Sequence, residues 1–191
     1  MPNRRLFVAL DPPEPVRRRL AVIAAELRRG APRAADEIRW VAPENVHLTL
    51  QFLGAVPEER VADVEAALHA AATGARPLAL EVRGAGGFPN ARRPRVLWAG
   101  LGGDIAPLAA LAAEVGRGLA PLGFPPEDRP FSPHLTLGRA RDRRGAPGLA
   151  GALAAAAQST GTPWRATELT LFESHLSPKG PRYEVVARFA L

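Results

Sequence analysis

The chain has 191 residues, of which 47% are hydrophobic and 23% charged, a composition inside the ordinary globular range and outside the disordered and fibrous ones. Cysteine is absent, which excludes a disulfide framework, a zinc-thiolate site, an iron-sulfur cluster and a cysteine nucleophile, and fits a reducing cytoplasm. Lys plus Arg number 25 against 19 acids, a net charge of +6 that favours an anionic partner such as RNA, although the near-exclusive use of Arg with abundant Ala, Gly and Pro also fits a GC-rich genome without functional meaning.

Arg5 to Leu10 reads as a strand, followed by a helix from about Glu14 to Arg29 whose apolar positions Val16, Leu20, Ile23 and Leu27 fall three or four apart. Ile38 to Val41 and Val46 to Leu53 read as strands, the second closed by Gly54. Pro57-Glu-Glu starts a helix running to about Thr73, with Pro and acids in its first turn. Strands at Leu78 to Arg83 and Arg95 to Leu101 flank a Gly/Pro/Arg-rich connection. A helix is expected from Asp104 to about Leu119, a strand at Ser132 to Leu137, a basic loop at Arg139 to Pro147, and an Ala-rich helix from about Gly148 to Gln158. Strands at Trp164 to His175 and Tyr183 to Leu191 follow, and Trp40, Trp98 and Trp164 are expected to fill cores. No stretch approaches the roughly 18 to 20 uninterrupted apolar residues of a membrane span. Met1 to Arg5 lacks a following signal-type apolar core, so no membrane association or export is expected.

The order of elements repeats within the chain. Arg5-Leu-Phe-Val-Ala followed by a helix matches Arg95-Val-Leu-Trp-Ala followed by a helix, and His-Leu-Thr-Leu stands at residues 47–50 and again at 134–137, each time before a helix and a strand. The expectation is an α+β fold over residues 1–191: one domain of two interleaved, similar lobes, each an antiparallel-rich sheet with outer helices, related by an approximate two-fold axis around a central cleft.

Strand alternation divides the repeated motif. Leu48 and Leu50 point into a core while His47 and Thr49 point the other way, and Leu135 and Leu137 divide from His134 and Thr136 in the same manner. With the polar faces turned inward, two imidazoles and two hydroxyls converge on one cleft. That set suits a phosphodiester: a neutral His takes a proton from water, a protonated His gives one to the departing sugar oxygen, and the Thr hydroxyls donate to the non-bridging oxygens. Taken singly, each His is a structural strand residue by default and each Thr an ordinary β-branched one; the pairing inside a duplicated unit turns the reading toward catalysis. Metal coordination lacks ligands, since neither motif carries a second His or a carboxylate at ligand spacing. The single Lys, Lys179, is followed by Gly180-Pro181 and builds neither a P-loop nor a lysyl-adduct motif. His69 reads as a surface residue of an Ala-rich helix, and His175 as a strand residue.

The paired motifs resemble those of the two-histidine (2H) phosphoesterase superfamily, and within it the bacterial and archaeal RNA 2′,3′-cyclic phosphodiesterases, historically called 2′-5′ RNA ligases. The similarity includes Arg5-Leu-Phe-Val-Ala, Trp40-Val41, Asn45-Val-His-Leu-Thr-Leu-Gln-Phe-Leu-Gly54, Phe88-Pro89 and Pro94 to Trp98. It continues through Arg129-Pro-Phe-Ser-Pro-His-Leu-Thr-Leu-Gly-Arg139, Leu171 to Ser174 and Gly180 to Tyr183. The resemblance implies a bilobal enzyme that opens a terminal 2′,3′-cyclic phosphate on RNA with water, leaving a 2′-phosphate, without metal or cofactor; no obligate protein partner is implied, and a monomer is the default expectation. It implies His47 and His134 as acid and base, Thr49 and Thr136 as phosphate binders, and Phe52 and Arg139 as holders of nucleotide and phosphate. Simple alternation puts Phe52 and Arg139 on the leucine face, so their roles require the strand to twist or end after Thr. The rivals are a sibling activity on another cyclic or 2′-5′ linked nucleotide, and a non-catalytic RNA-end-binding module.

Overall fold

The computed structural model describes residues 3–157, 161–178 and 180–191. Alternation in β1 (Asn3–Leu10) sorts Leu6, Val8 and Leu10 into the main core and leaves Phe7 and Ala9 on the opposite face. α1 (Glu14–Gly30) starts with Glu14 and Pro15 in its first turn, ends on Arg28 and Arg29, and buries Val16, Leu20, Ile23 and Leu27, so first-turn proline, dipole and apolar stripe agree. The short α2 (Pro32–Ala35) and β2 (Ile38–Trp40) lead to β3 (Leu48–Pro57) and α3 (Val61–Thr73). Then come β4 (Leu78–Phe88), β5 (Val96–Gly103), α4 (Ile105–Leu119) and β6 (Leu135–Ala140). α5 (Ala150–Ala156), β7 (Thr162–Ala166), β8 (Glu168–Ser177) and β9 (Gly180–Ala190) complete the order.

The strands form two antiparallel sheets, a four-stranded one in the order β3-β1-β8-β9 and a five-stranded one in the order β2-β6-β5-β4-β7. Each sheet therefore has a motif strand next to its β1-like strand, β3 on β1 and β6 on β5. The chain weaves between them. α1 leaves the first sheet and packs on β4, β7 and α5 of the second, whereas α4 leaves the second and packs on α3 and β3 of the first. One continuous apolar core runs through both layers, from Leu6 and Leu48 to Leu97 and Leu135.

Several elements differ from the sequence expectations. The connection expected after Arg83 is strand: β4 continues through Gly84 to Phe88, with a register shift at Gly84, where φ is +69°, and with the Trp98 ring seated on Gly86, where any Cβ would lie 2.3 Å from the indole. Glycine here admits a covering ring rather than breaking the strand. The single strand expected at Trp164 to His175 is two strands in different sheets, β7 beside β4 and β8 beside β1. β3 runs past Gly54 to Pro57, and Arg139 and Ala140, assigned to a loop, belong to β6. The helix expected to reach Gln158 spans Ala150–Ala156 after a 3-10 turn, and Gln158 lies outside the described residues. Trp164 is a core residue, but Trp98 is only half-buried, against Phe88. Ile105–Leu122 is long and apolar enough to cross a membrane by length and composition alone; here Leu108, Leu111, Val115 and Leu119 line the core while Glu114 and Arg117 pair on the exposed side, the pattern of an amphipathic core helix.

Candidate active site

Each motif strand carries the same irregularity in the same place. Ala9 pairs with Thr49 and Val8 with Gln51, so Leu50 is an extra residue opposite β1; Trp98 pairs with Thr136 and Leu97 with Gly138, so Leu137 is the extra residue opposite β5. A β-bulge of this kind resets the alternation beyond it. Phe52 therefore pairs with Phe7 on the face that holds Thr49, and Arg139 pairs with Val96 on the face that holds Thr136. The twist that the sequence required after Thr is this pair of bulges. Gln51 meanwhile turns inward, 4% exposed, and donates to the Phe124 and Pro125 carbonyls at 2.9 and 3.2 Å.

The two histidines are held alike. His47 Nδ1 lies 3.1 Å from the Asn45 carbonyl and His134 Nδ1 2.7 Å from the Ser132 carbonyl, in each case the residue two before. A carbonyl only accepts, so Nδ1 donates and Nε2 is the nitrogen left to exchange a proton. His47 packs in an aromatic box on the far face of the first sheet. Its ring centroid lies 4.4 Å from Phe172, 5.2 Å from Tyr183 and 5.8 Å from Phe7, and its side chain is only 5% exposed. His134 has an edge contact with Phe88 at 5.0 Å, and Phe88 in turn meets Trp98.

Sequence reasoning missed the polar surroundings of His47. The Asp11 carboxylate stands 3.6 Å from Nε2 and forms an ion pair with Arg17, which also donates to the carbonyls of Pro43 at 2.6 Å and Val46 at 3.3 Å. Arg17 thus ties α1 to the loop that delivers the imidazole. Burial pulls His47 down to about 4, the Arg17 charge adds to that shift, and the Asp11 charge and the Asn45 hydrogen bond oppose it. In sequence Asp11 belongs to a Pro-containing turn and Arg17 to the charged side of a helix, so neither carried a signal.

Two connections link the motif strands of the two sheets. β2 is the edge strand beside β6, and Val41, whose N–H donates to the Leu137 carbonyl at 2.9 Å, lies only six residues before His47, a reach of at most about 20 Å. Tyr183 of β9 meets the His47 ring, and burial raises its phenol against the opposing charges of Arg139 from the second sheet and Arg5 from the first. Beside the aromatic box lies a pocket of about 240 Å³ lined by Arg5, Phe7, Phe52, Ser174, Leu176 and Tyr183. Phe52 is 60% exposed at its rim, an orientation suited to stacking on a base.

His69 stands on the exposed side of α3 near Phe189, and His175 pairs with Glu184 at 3.1 Å and Glu173 at 3.9 Å. Among the described residues no three His, Asp or Glu side chains gather as a metal-binding set.

The features of the LigT-like phosphoesterases as a family match residues 10–98 and 103–183. The RNA 2′,3′-cyclic phosphodiesterase of Archaeoglobus fulgidus is 35% identical over 180 residues, 94% of this chain and 96% of the relative. A crystal structure of a Thermus thermophilus protein superposes with a TM-score of 0.77 at 32% identity, covering 98% of this chain and 97% of that one. The crystal structure of E. coli LigT complexed with 3′-AMP does so with a TM-score of 0.73 at 28% identity, covering 99% and 98%.

Proposed function

Because the chain belongs to the LigT-like phosphoesterase family, we propose that it hydrolyses 2′,3′-cyclic phosphate ends of RNA, adding water at phosphorus, breaking the bond to the 3′ oxygen and leaving a 2′-phosphate. The observation that carries this reading is the pair of imidazoles, one at the head of each motif strand, tethered through Nδ1 in the same way so that each keeps Nε2 for proton transfer.

His47 is the base in this scheme. Burial keeps it neutral at pH 7, and the charge of an arriving phosphate raises its proton affinity as catalysis requires. His134 Nε2–H donates to the departing 3′ oxygen from the second lobe, since attack and departure occur on opposite sides of phosphorus. Thr49 and Thr136 donate to the non-bridging oxygens, Arg139 balances their charge, and Phe52 stacks on the terminal base. With the 5′-hydroxyl of a second RNA end in place of water, the same attack on the cyclic phosphate forms the bond to the 5′ oxygen, breaks the bond to the 3′ oxygen and leaves a 2′-5′ linkage, a ligation that hydrolysis outcompetes in water. No step calls on a metal or cofactor, and the cysteine-free chain suits a cytoplasmic setting.

The test incubates the purified protein, in excess EDTA, with an RNA oligomer ending in a 2′,3′-cyclic phosphate and reads the product phosphate by 31P NMR. A 2′-monophosphate is expected. An unchanged substrate, a 3′-phosphate, or a rate restored only by added zinc or manganese overturns the proposal.

A further inference from the structure

Arg39 of β2 is paired directly with Arg139 of β6. In an antiparallel sheet directly opposed residues share a face, with Cα atoms about 5 Å apart, and like charges so placed destabilise the pair of strands. The face is the one that carries Thr136, because Arg139 also opposes Val96 while Thr136 opposes Trp98 two residues along. Neighbouring Ile38 is in the core and Trp40 lies under the Arg28 guanidinium on the other face. Both Arg39 and Arg139 are exposed, and among the described residues neither has a carboxylate within ion-pair distance. Two uncompensated guanidiniums held side by side on the reactive face form a place for an extended anion rather than for a single charge.

We propose that Arg39 binds the phosphodiester immediately upstream of the terminal nucleotide, so that the enzyme prefers an RNA chain to an isolated cyclic nucleotide. This rests on the reading of the centre as an RNA-end hydrolase. β2 is the edge strand next to β6 in the five-stranded sheet; an RNA whose cyclic end sits at His134, Thr136 and Arg139 and whose backbone leaves over that edge crosses Arg39 next. Arg39 is a specificity determinant that touches no reacting atom.

The experiment compares a nucleoside 2′,3′-cyclic phosphate with the dinucleotide that carries one more internal phosphodiester, using wild type, Arg39→Gln and Arg39→Lys. The ratio of kcat/KM for dinucleotide over mononucleotide is expected to fall about tenfold in Arg39→Gln, through KM. The salt slope of dinucleotide binding should shrink by about 0.7, and Arg39→Lys should recover part of the ratio. Melting of Arg39→Gln should occur at the wild-type temperature or above, because a like-charge pair is relieved. A ratio and slope unchanged from wild type, or a loss that tracks a lower melting temperature, overturns the assignment. Wild type inactive on both substrates instead removes the hydrolase reading on which it rests.

Discussion

Lowering the pH from 7.5 to 4 tests the environment of His47 more directly than any truncation. The folded ring is held near 4 against 6.5 for an exposed histidine, chiefly because burial penalises its charged form. Above pH 6.5 the ring is neutral in both states and contributes nothing to pH dependence. Between 6.5 and 4 the unfolded chain binds the proton and the folded one does not, so stability falls as the pH drops; below 4 both are protonated and the full penalty stands. A shift of 2.5 units at 1.36 kcal/mol each amounts to about 3 kcal/mol. Other groups titrate over the same range, so the readout is the difference between wild type and His47→Asn, whose amide does not ionise. Urea unfolding at half-unit steps of pH should show the variant gaining on wild type by about 3 kcal/mol between pH 6.5 and 4. A difference that stays constant through that window would mean that the imidazole titrates normally, and the account of burial acting on His47 would fail with it.

Three further outcomes follow from the geometry. Replacing either His47 or His134 with Ala should lower turnover by about 10² to 10⁴, and the double variant should lose less than the product of the two, because base and acid act in one step; steady-state rates at saturating substrate check this, and a single variant near wild-type activity would defeat it. Arg139→Ala should weaken binding of phosphorylated ends and flatten its salt dependence, measured by titration at several ionic strengths. Gly86→Ala drives a methyl group into the Trp98 ring, which a Cβ would approach to 2.3 Å. It should destabilise the protein by about 1 to 3 kcal/mol in urea unfolding and reduce activity, since Trp98 lies beside Thr136.

The α+β class and the duplicated elements were legible because they rest on local periodicity and on a repeated tetrapeptide, and the apolar stripe of α1 matches Val16, Leu20, Ile23 and Leu27 residue for residue. What the sequence hid is nonlocal. Nothing in Leu50 or Leu137 announces a bulge, since a bulge is a relation between two strands and the leucine remains a good strand residue. The Gly84 to Gly87 run looked like a connection because the ring that covers it comes from β5. β7 and β8 read as one strand because their apolar patterns run on, although Thr167 sends them to different sheets. The Asp11 and Arg17 pair at His47 joins a turn to a helix face, and the opposition of Arg39 to Arg139 joins segments a hundred residues apart. Such pairings become visible only with strand register.

The weaving of strands bears on how the molecule is made. On the ribosome, β1 and β3 emerge early, yet the partner that flanks β1 on its other side is β8, residues Glu168–Ser177, and β9 follows it. The first sheet must wait for almost the whole chain, holding its apolar strands provisional while the second is threaded between. Release of a prematurely terminated chain would therefore yield no half-enzyme with one working histidine, only an open sheet edge for quality control to recognise.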